Sequence, residues 1–210
     1  MKFLITGFDP FGGETVNPAW EAVKLLPDTL MGHEIVRLQV PTAFVHSGEV
    51  LRDAVLREKP DIILCVGQAG GRAALTVERI AVNLMDAPIP DNDGDSPKDA
   101  PVVQDGPDGI FATLPVKAMA AAAREAGIPA ELSYSAGTYV CNCLMYRALH
   151  LANEFPPMKA GFVHVPFIPV QAASKPGRPS MALCDIVKGL TAMVLAAAGE
   201  EAKTAGGAVC

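Results

Sequence analysis

Long apolar runs are missing from this 210-residue chain: half of its residues are hydrophobic, yet no stretch reaches the roughly 18 consecutive apolar residues that a membrane helix needs. Met1-Lys2-Phe3-Leu4-Ile5-Thr6 runs directly into Gly7 and Asp9 instead of through an export signal, so the chain reads as cytoplasmic. A basic block is missing too. With a net charge of −6 and scattered cations, the surface offers little to a phosphate backbone, and no nucleic-acid partner is expected. The five cysteines, Cys65, Cys141, Cys143, Cys184 and Cys210, are odd in number and follow no disulfide pattern. They read as reduced thiols, with Cys184 and Cys210 at the surface. Cys141 and Cys143, one residue apart, together with His164 are too few and too closely spaced for structural zinc. Gly67 to Gly71 has neither the lysine of a phosphate-binding loop nor a dinucleotide fingerprint. An EF-hand starting at Asp91 would need glycine sixth and glutamate twelfth but finds Ser96 and Val102, so Asp91-Asn92-Asp93-Gly94-Asp95 reads as a solvated loop.

What is present is an alternation of β-branched runs and helical patterns. Strands are expected at Lys2 to Thr6, Glu34 to Val40, Asp61 to Val66, Leu75 to Val82, Ala130 to Tyr134 and Gly161 to Val165. Helices are expected from the Asn17 cap and Pro18 to Leu26, around Val50, Ala54 and Val55, and over Pro115 to Glu125, Val140 to Ala152 and Ser180 to Ala198. The last should bury Leu183, Val187, Leu190 and Val194. The pattern predicts one domain over 1–210: an α/β/α sandwich of three layers on a central, mixed, mostly parallel twisted sheet, with a frayed tail from Gly199. Asp86 to Gly109 is too long for an ordinary connection and is expected to cover the site. Pro166 to Pro179 carries four prolines and no helical spacing, and its Phe167 to Pro179 part suits a lid or a subunit interface.

In such a sheet, ligands bind at the carboxyl ends of strands, where Gly7 to Gly13, Gly67 to Arg72 and Ala136 to Cys141 are placed. With Thr138 as N-cap, Cys141 becomes the third residue of a helix whose Leu144, Met145, Ala148 and Leu149 face the core. A helix N-terminus lowers a thiol's pKa, which makes Cys141 a candidate nucleophile. Glu78 should share a strand face with Thr76, Ile80 and Val82 and, if buried, should meet a histidine or an arginine. A purely structural pairing with Arg72 or Arg79 is equally open. His164, in the apolar run Gly161 to Pro166, is the best placed of the four histidines; His33, His46 and His150 read as surface or helix-end positions. Cysteine, histidine and acid supply a nucleophile, a base and a group that orients the base.

The chain also resembles a known family over nearly its whole length. The resemblance rests on Thr6-Gly7-Phe8-Asp9-Pro10-Phe11-Gly12-Gly13, Val66-Gly67-Gln68-Ala69-Gly70-Gly71-Arg72, Glu78-Arg79-Ile80-Ala81-Val82-Asn83, Ser135-Ala136-Gly137-Thr138-Tyr139-Val140-Cys141-Asn142 and His164-Val165-Pro166-Phe167-Ile168-Pro169. On these motifs it is similar to pyroglutamyl peptidase I, or pyrrolidone-carboxylate peptidase, a family of cysteine exopeptidases that remove N-terminal pyroglutamate. The resemblance implies Cys141 as nucleophile, His164 as general base and acid, Glu78 as its orienting carboxylate, and no metal or cofactor. It implies peptides with N-terminal pyroglutamate as substrates and a homotetramer as the assembly. Phe8 and Phe11 would flank the lactam ring, with Gln68, Thr42, Ile89 and Val140 as further contacts; without the resemblance, Phe8 and Phe11 read as core plugs beneath a turn. One departure stands out: where the family has an arginine that helps to hold the oxyanion, this chain has Pro88. The Cys141 N–H would then act alone or with Arg72 or Arg79, and a catalytically weak homologue that only binds pyroglutamyl ligands is the alternative.

Overall fold

A computed structural model describes residues 1–201, 203 and 205; the remainder of the expected tail, Cys210 included, lies outside the described residues. In chain order the elements are β1 (Lys2–Phe8), α1 (Pro18–Val23), β2 (Thr29–Leu30), β3 (His33–Val40), α2 (His46–Glu58), β4 (Ile62–Gln68), β5 (Leu75–Glu78), β6 (Ile80–Val82), β7 (Gly109–Phe111), α3 (Val116–Glu125), β8 (Ala130–Ser133), α4 (Val140–Glu154), β9 (Lys159–Val165), α5 (Pro169–Ala172) and α6 (Leu183–Ala197). The main sheet has the order β2-β3-β1-β4-β9-β5-β8. β3, β1, β4 and β9 pair in parallel, β2 is antiparallel to β3, and β5 runs against β9 while pairing in parallel with β8. The sheet is therefore mixed and mostly parallel, as expected.

The central strands β1, β4 and β9 are near-continuous apolar runs because both of their faces are covered. α1, α3 and α6 pack together on one face and α2 with α4 on the other, giving three layers. In α1, Asn17 accepts from Ala19 N at 3.1 Å and Pro18 occupies the first turn, so the start signals place the helix correctly, although it ends at Val23 and not at Leu26.

Several expectations are corrected. The strand predicted over Leu75 to Val82 breaks at Arg79, and β6 leaves the main sheet to pair with β7, so Ile80 and Val82 do not share a sheet face with Glu78. α6 turns Ile186, Gly189, Leu190, Met193, Val194 and Ala197 inward, while Leu183 and Val187 are only half-buried. An alanine-rich helix offers several apolar stripes, and the neighbours select one. Pro169 opens a short helix, α5, inside the segment read as having none. Glu201 accepts from the backbone N–H groups of Lys117 and Ala118 at 3.0 and 3.2 Å, capping the start of α3.

Candidate active site

The site is built on the sheet face that carries Cys65, Gly67, Phe162, His164, Thr76 and Glu78. Gly67 is the register partner of His164 across the β4–β9 pair, and Thr76 is its partner across β5–β9. Glu78, two residues beyond Thr76, lies diagonally from the imidazole on the same face, the arrangement that lets a long side chain reach across. Its Oε1 is 2.7 Å from His164 Nδ1. Gly67 also locates the nucleophile: a Cβ added there would sit 2.9 Å from Cys141 Sγ and 2.7 Å from the Phe162 ring. The absence of a side chain at this one position lets the sulfur lie beside the histidine strand.

Two of the three expected loops leave the carboxyl ends of β1 and β4. The third follows β8, which runs the other way, so α4 reaches the site by crossing over β4 and β9. α4 is capped at Tyr139, which makes Cys141 the second helical residue, and Tyr139 provides no side-chain cap. Thr138, expected as the cap, instead donates from Oγ1 to Asp86 O at 2.8 Å. The first-turn N–H groups of α4 are thus left available to an anion.

The electrostatics follow from burial. Glu78 is fully buried; burial pushes its carboxyl up, but the His164 hydrogen bond and charge, with Ser133 and Arg72, outweigh this and hold it below the usual value. Arg72 Nη1 lies 2.7 Å from the same Oε1 that His164 uses, so histidine and arginine both meet this acid. Among the described residues, no partner reaches hydrogen-bonding geometry at Oε2. Burial lowers the pKa of His164 against the opposing pull of Glu78, so its imidazole is neutral at neutral pH. An ionised Glu78 accepts from Nδ1–H, which leaves Nε2 as the basic nitrogen. The Cys141 thiol is pushed up to about 12, first by burial and then by the Glu78 carboxylate and Cys65. This reverses the lowering expected from the helix N-terminus: the thiol does lie in the first turn, one residue nearer its start than expected, but desolvation and a nearby acid outweigh the effect. The resting pair is thiol and neutral imidazole.

The expected substrate contacts fall into two groups. Phe11 is half-buried, 6.2 Å from the Tyr139 ring, and Ile89 is 44% exposed, so both are accessible. Gln68 is half-buried, and its Oε1 accepts from Gln171 Nε2 at 2.9 Å. Phe8 is 2% exposed, packed 6.5 Å from Phe162, whose ring lies 4.7 Å from His164; it supports the base from below. Val140 is buried as the first residue of α4. Thr42 is buried and knotted to Asp9: its N–H donates to Asp9 Oδ1 at 2.7 Å and its Oγ1 to Asp9 O at 3.1 Å.

Sequence reasoning missed the lacing around these residues. Asp91 is buried, not solvated: it accepts from Phe44 N, Asp93 N and Asp95 N. Tyr139 donates from its hydroxyl to Pro90 O at 3.0 Å, and Asn92 donates to Asp9 Oδ1 and Pro10 O, so the strap from Asp86 to Asn92 is tied over the site. Pro88 lies exposed on it. Asn142, fully buried in α4, exchanges hydrogen bonds with Val82 N and O and with Leu84 O. A poor helix former beside the nucleophile was the available signal. Arg79 turns toward Glu201 and the Phe111 ring, away from the oxyanion role considered for it. Cys143 Sγ faces Phe44 O and Met85, and Cys184 is exposed. Among the described residues no cluster of three or more His, Cys, Asp or Glu is placed to hold a metal, and no helix is long and apolar enough to cross a membrane.

Comparison with known proteins agrees with this geometry. A pyrrolidone-carboxylate peptidase from Levilactobacillus brevis is 56% identical over 93% of this chain and 97% of its own. The crystal structure of pyroglutamyl peptidase I from Bacillus amyloliquefaciens superposes with a TM-score of 0.93 at 47% identity, covering 97% of this chain and 99% of that one. The pyrrolidone carboxyl peptidase from Thermococcus litoralis gives 0.92 at 38% identity over 97% and 99%. With the family described as pyroglutamyl peptidase matching residues 1–200, the chain belongs to that family of cysteine peptidases.

Proposed function

We propose that this chain hydrolyses the bond that follows an N-terminal pyroglutamyl residue, with Cys141 as nucleophile, His164 as proton carrier and Glu78 as its anchor. The observation that carries the reading is the 2.7 Å contact of Glu78 Oε1 with His164 Nδ1 on the strand pair whose Gly67 makes room for Cys141 Sγ. As Sγ attacks the pyroglutamyl carbonyl carbon, its proton passes to His164 Nε2, and the carbonyl π pair moves to oxygen. The first-turn N–H groups of α4, that of Cys141 foremost, face this oxyanion; with Pro88 in the strap and Arg72 and Arg79 committed elsewhere, backbone donors carry the charge. The C–N bond breaks, Nε2 returns its proton to the leaving amine, and a thioester remains. Water, deprotonated by the same nitrogen, then releases pyroglutamate and the thiol.

Pyroglutamate is a neutral lactam with no terminal ammonium. The accessible aromatic edge of Phe11 and Tyr139, with Ile89 on the strap, suits its flat ring, and Gln68 offers an amide partner. Phe8 contributes from beneath, through Phe162. Thr42 and Val140 shape the walls. Residence in the cytoplasm and assembly as a homo-oligomer, a tetramer by resemblance, complete the reading. The test is release of a chromogenic amine from a pyroglutamyl amide by wild type, Cys141→Ala, Glu78→Gln and His164→Ala. Full activity in any folded variant removes that residue from the mechanism.

A further inference from the structure

Arg72 lies outside the three residues proposed above, yet its guanidinium ties together three parts of the site's framework. Nη1 lies 2.7 Å from Glu78 Oε1 and 2.5 Å from Thr76 Oγ1, and Nη2 donates to Ser135 O at 3.2 Å. Glu78 and Thr76 belong to the strand that flanks the histidine, Ser135 to the segment leading to Cys141, and Arg72 itself to the loop that follows Gln68. Gly71, at a φ of +100°, lets that loop double back so that the guanidinium reaches the sheet. We propose that Arg72 is a positioning residue of the reaction: it fixes the Glu78 carboxylate for its bond to His164 and ties the nucleophile-bearing loop to that same carboxylate.

The geometry separates this role from oxyanion binding. Arg72 bonds the Glu78 oxygen that meets Nδ1 of His164, whereas in the proposed mechanism the thiol and the substrate carbonyl work from Nε2. Its three hydrogen bonds go to Glu78, Thr76 and Ser135, framework groups and not reacting atoms. A planar fork is needed to reach a carboxylate and a carbonyl together; a lysine ammonium can supply the charge but not both bonds.

A charge consequence gives the proposal a readout that a structural strut lacks. The charged and titratable groups facing His164 and Glu78, besides each other, are Arg72 and, beside Glu78, the Cys141 thiol, with the Ser133 side chain also against Glu78 and Cys65 acting on Cys141. Arg72 opposes protonation of His164 and favours ionised Glu78. Without it, Glu78 stands uncompensated beside the imidazole, the imidazolium is favoured, and neutral His164 is found only at higher pH. The acid limb of kcat/KM should therefore move up by about one pH unit.

The inference rests on the Cys141–His164–Glu78 reading, and one set of assays tests both. Arg72→Gln and Arg72→Lys are compared with wild type and Glu78→Gln for chromogenic pyroglutamyl amide turnover across pH, with melting temperature as a fold check. Arg72→Gln is expected to lose about 10–100-fold in kcat, a loss on the scale seen when a partner orienting a metal ligand is removed, with KM nearly unchanged and the acid limb raised. Arg72→Lys is expected to restore the limb but only part of kcat; if the glutamine variant does not fold, it carries the test alone through reduced kcat at an unmoved limb. Arg72→Gln with a wild-type limb, or with its loss confined to KM, overturns the proposal, as does Arg72→Lys with full kcat. If Glu78→Gln is fully active, the triad reading itself has failed; if it is dead while Arg72→Gln behaves as wild type, only the positioning role has.

Discussion

Glu78 and Asp91 are both buried carboxylates, 0% and 7% exposed, and they are used in opposite ways. Asp91 is met by three backbone N–H groups, from Phe44, Asp93 and Asp95, none of which can change its charge. Glu78 is met by an imidazole and a guanidinium on one oxygen, while Oε2 has no hydrogen bond among the described residues. The first arrangement locks a turn. The second couples an acid to a group that must gain and lose a proton. The partners, not the burial, separate scaffold from chemistry.

The sharpest way to break this comparison is to remove the chemistry. Cys141→Ala and His164→Ala should each cost about 10⁴-fold or more in turnover while leaving the melting temperature near wild type. Glu78→Gln should approach that loss, because a neutral amide neither holds the Nδ1–H tautomer as firmly nor stabilises the imidazolium. Gly67→Ala comes next, at about 10²-fold: the new methyl would sit 2.9 Å from Cys141 Sγ and displace it. Asp91→Asn should do the reverse, leaving kcat within a few-fold but lowering stability by about 1–3 kcal/mol in urea titration, since an amide nitrogen would then face backbone donors. If Asp91→Asn proves inert and Glu78→Gln unfolds, the contrast is wrong.

The smallest effects are those of pH. Neutral His164 is required for attack, and its pKa lies below the ordinary 6.5, so kcat/KM should hold down to that value and fall only beneath it. Stability shifts in a related direction. The lowered Glu78 pKa contributes stability present above about 4.5 and lost as pH falls through the folded value. Iodoacetamide should inactivate the enzyme at a rate still climbing at about pH 10, with no plateau near neutrality, because the thiol titrates at about 12; a chelator should leave activity unchanged.

The order of strands and helices was legible because apolar period and cap residues report local geometry directly: Asn17-Pro18 opened α1 as read, and the runs of β1, β4 and β9 marked central strands. Cys141, His164 and Glu78 were legible as types of residue in suitable places. A histidine or arginine partner for Glu78 was legible as well, and both meet it; the partners of Thr138 and Asn142 were not. The break at Arg79 has no glycine or proline to announce it, since it arises from β6 pairing with β7 instead of with β8 or β9. Thr138 looked like a cap because threonine often is one, and only the position of Asp86 shows where its hydroxyl goes. The thiol's pKa was misjudged because a helix terminus can be read from spacing, whereas desolvation depends on what the rest of the chain piles over the sulfur.

That piling has a consequence for life among oxidants. Peroxide attacks the sulfur anion, and a sulfur kept as S–H reacts far more slowly on the ladder to sulfenic and sulfinic acid. Cys141 is itself only half-buried, so what guards it is the proton that desolvation and the Glu78 carboxylate hold on the sulfur, a proton given up when a carbonyl is there to take the attack.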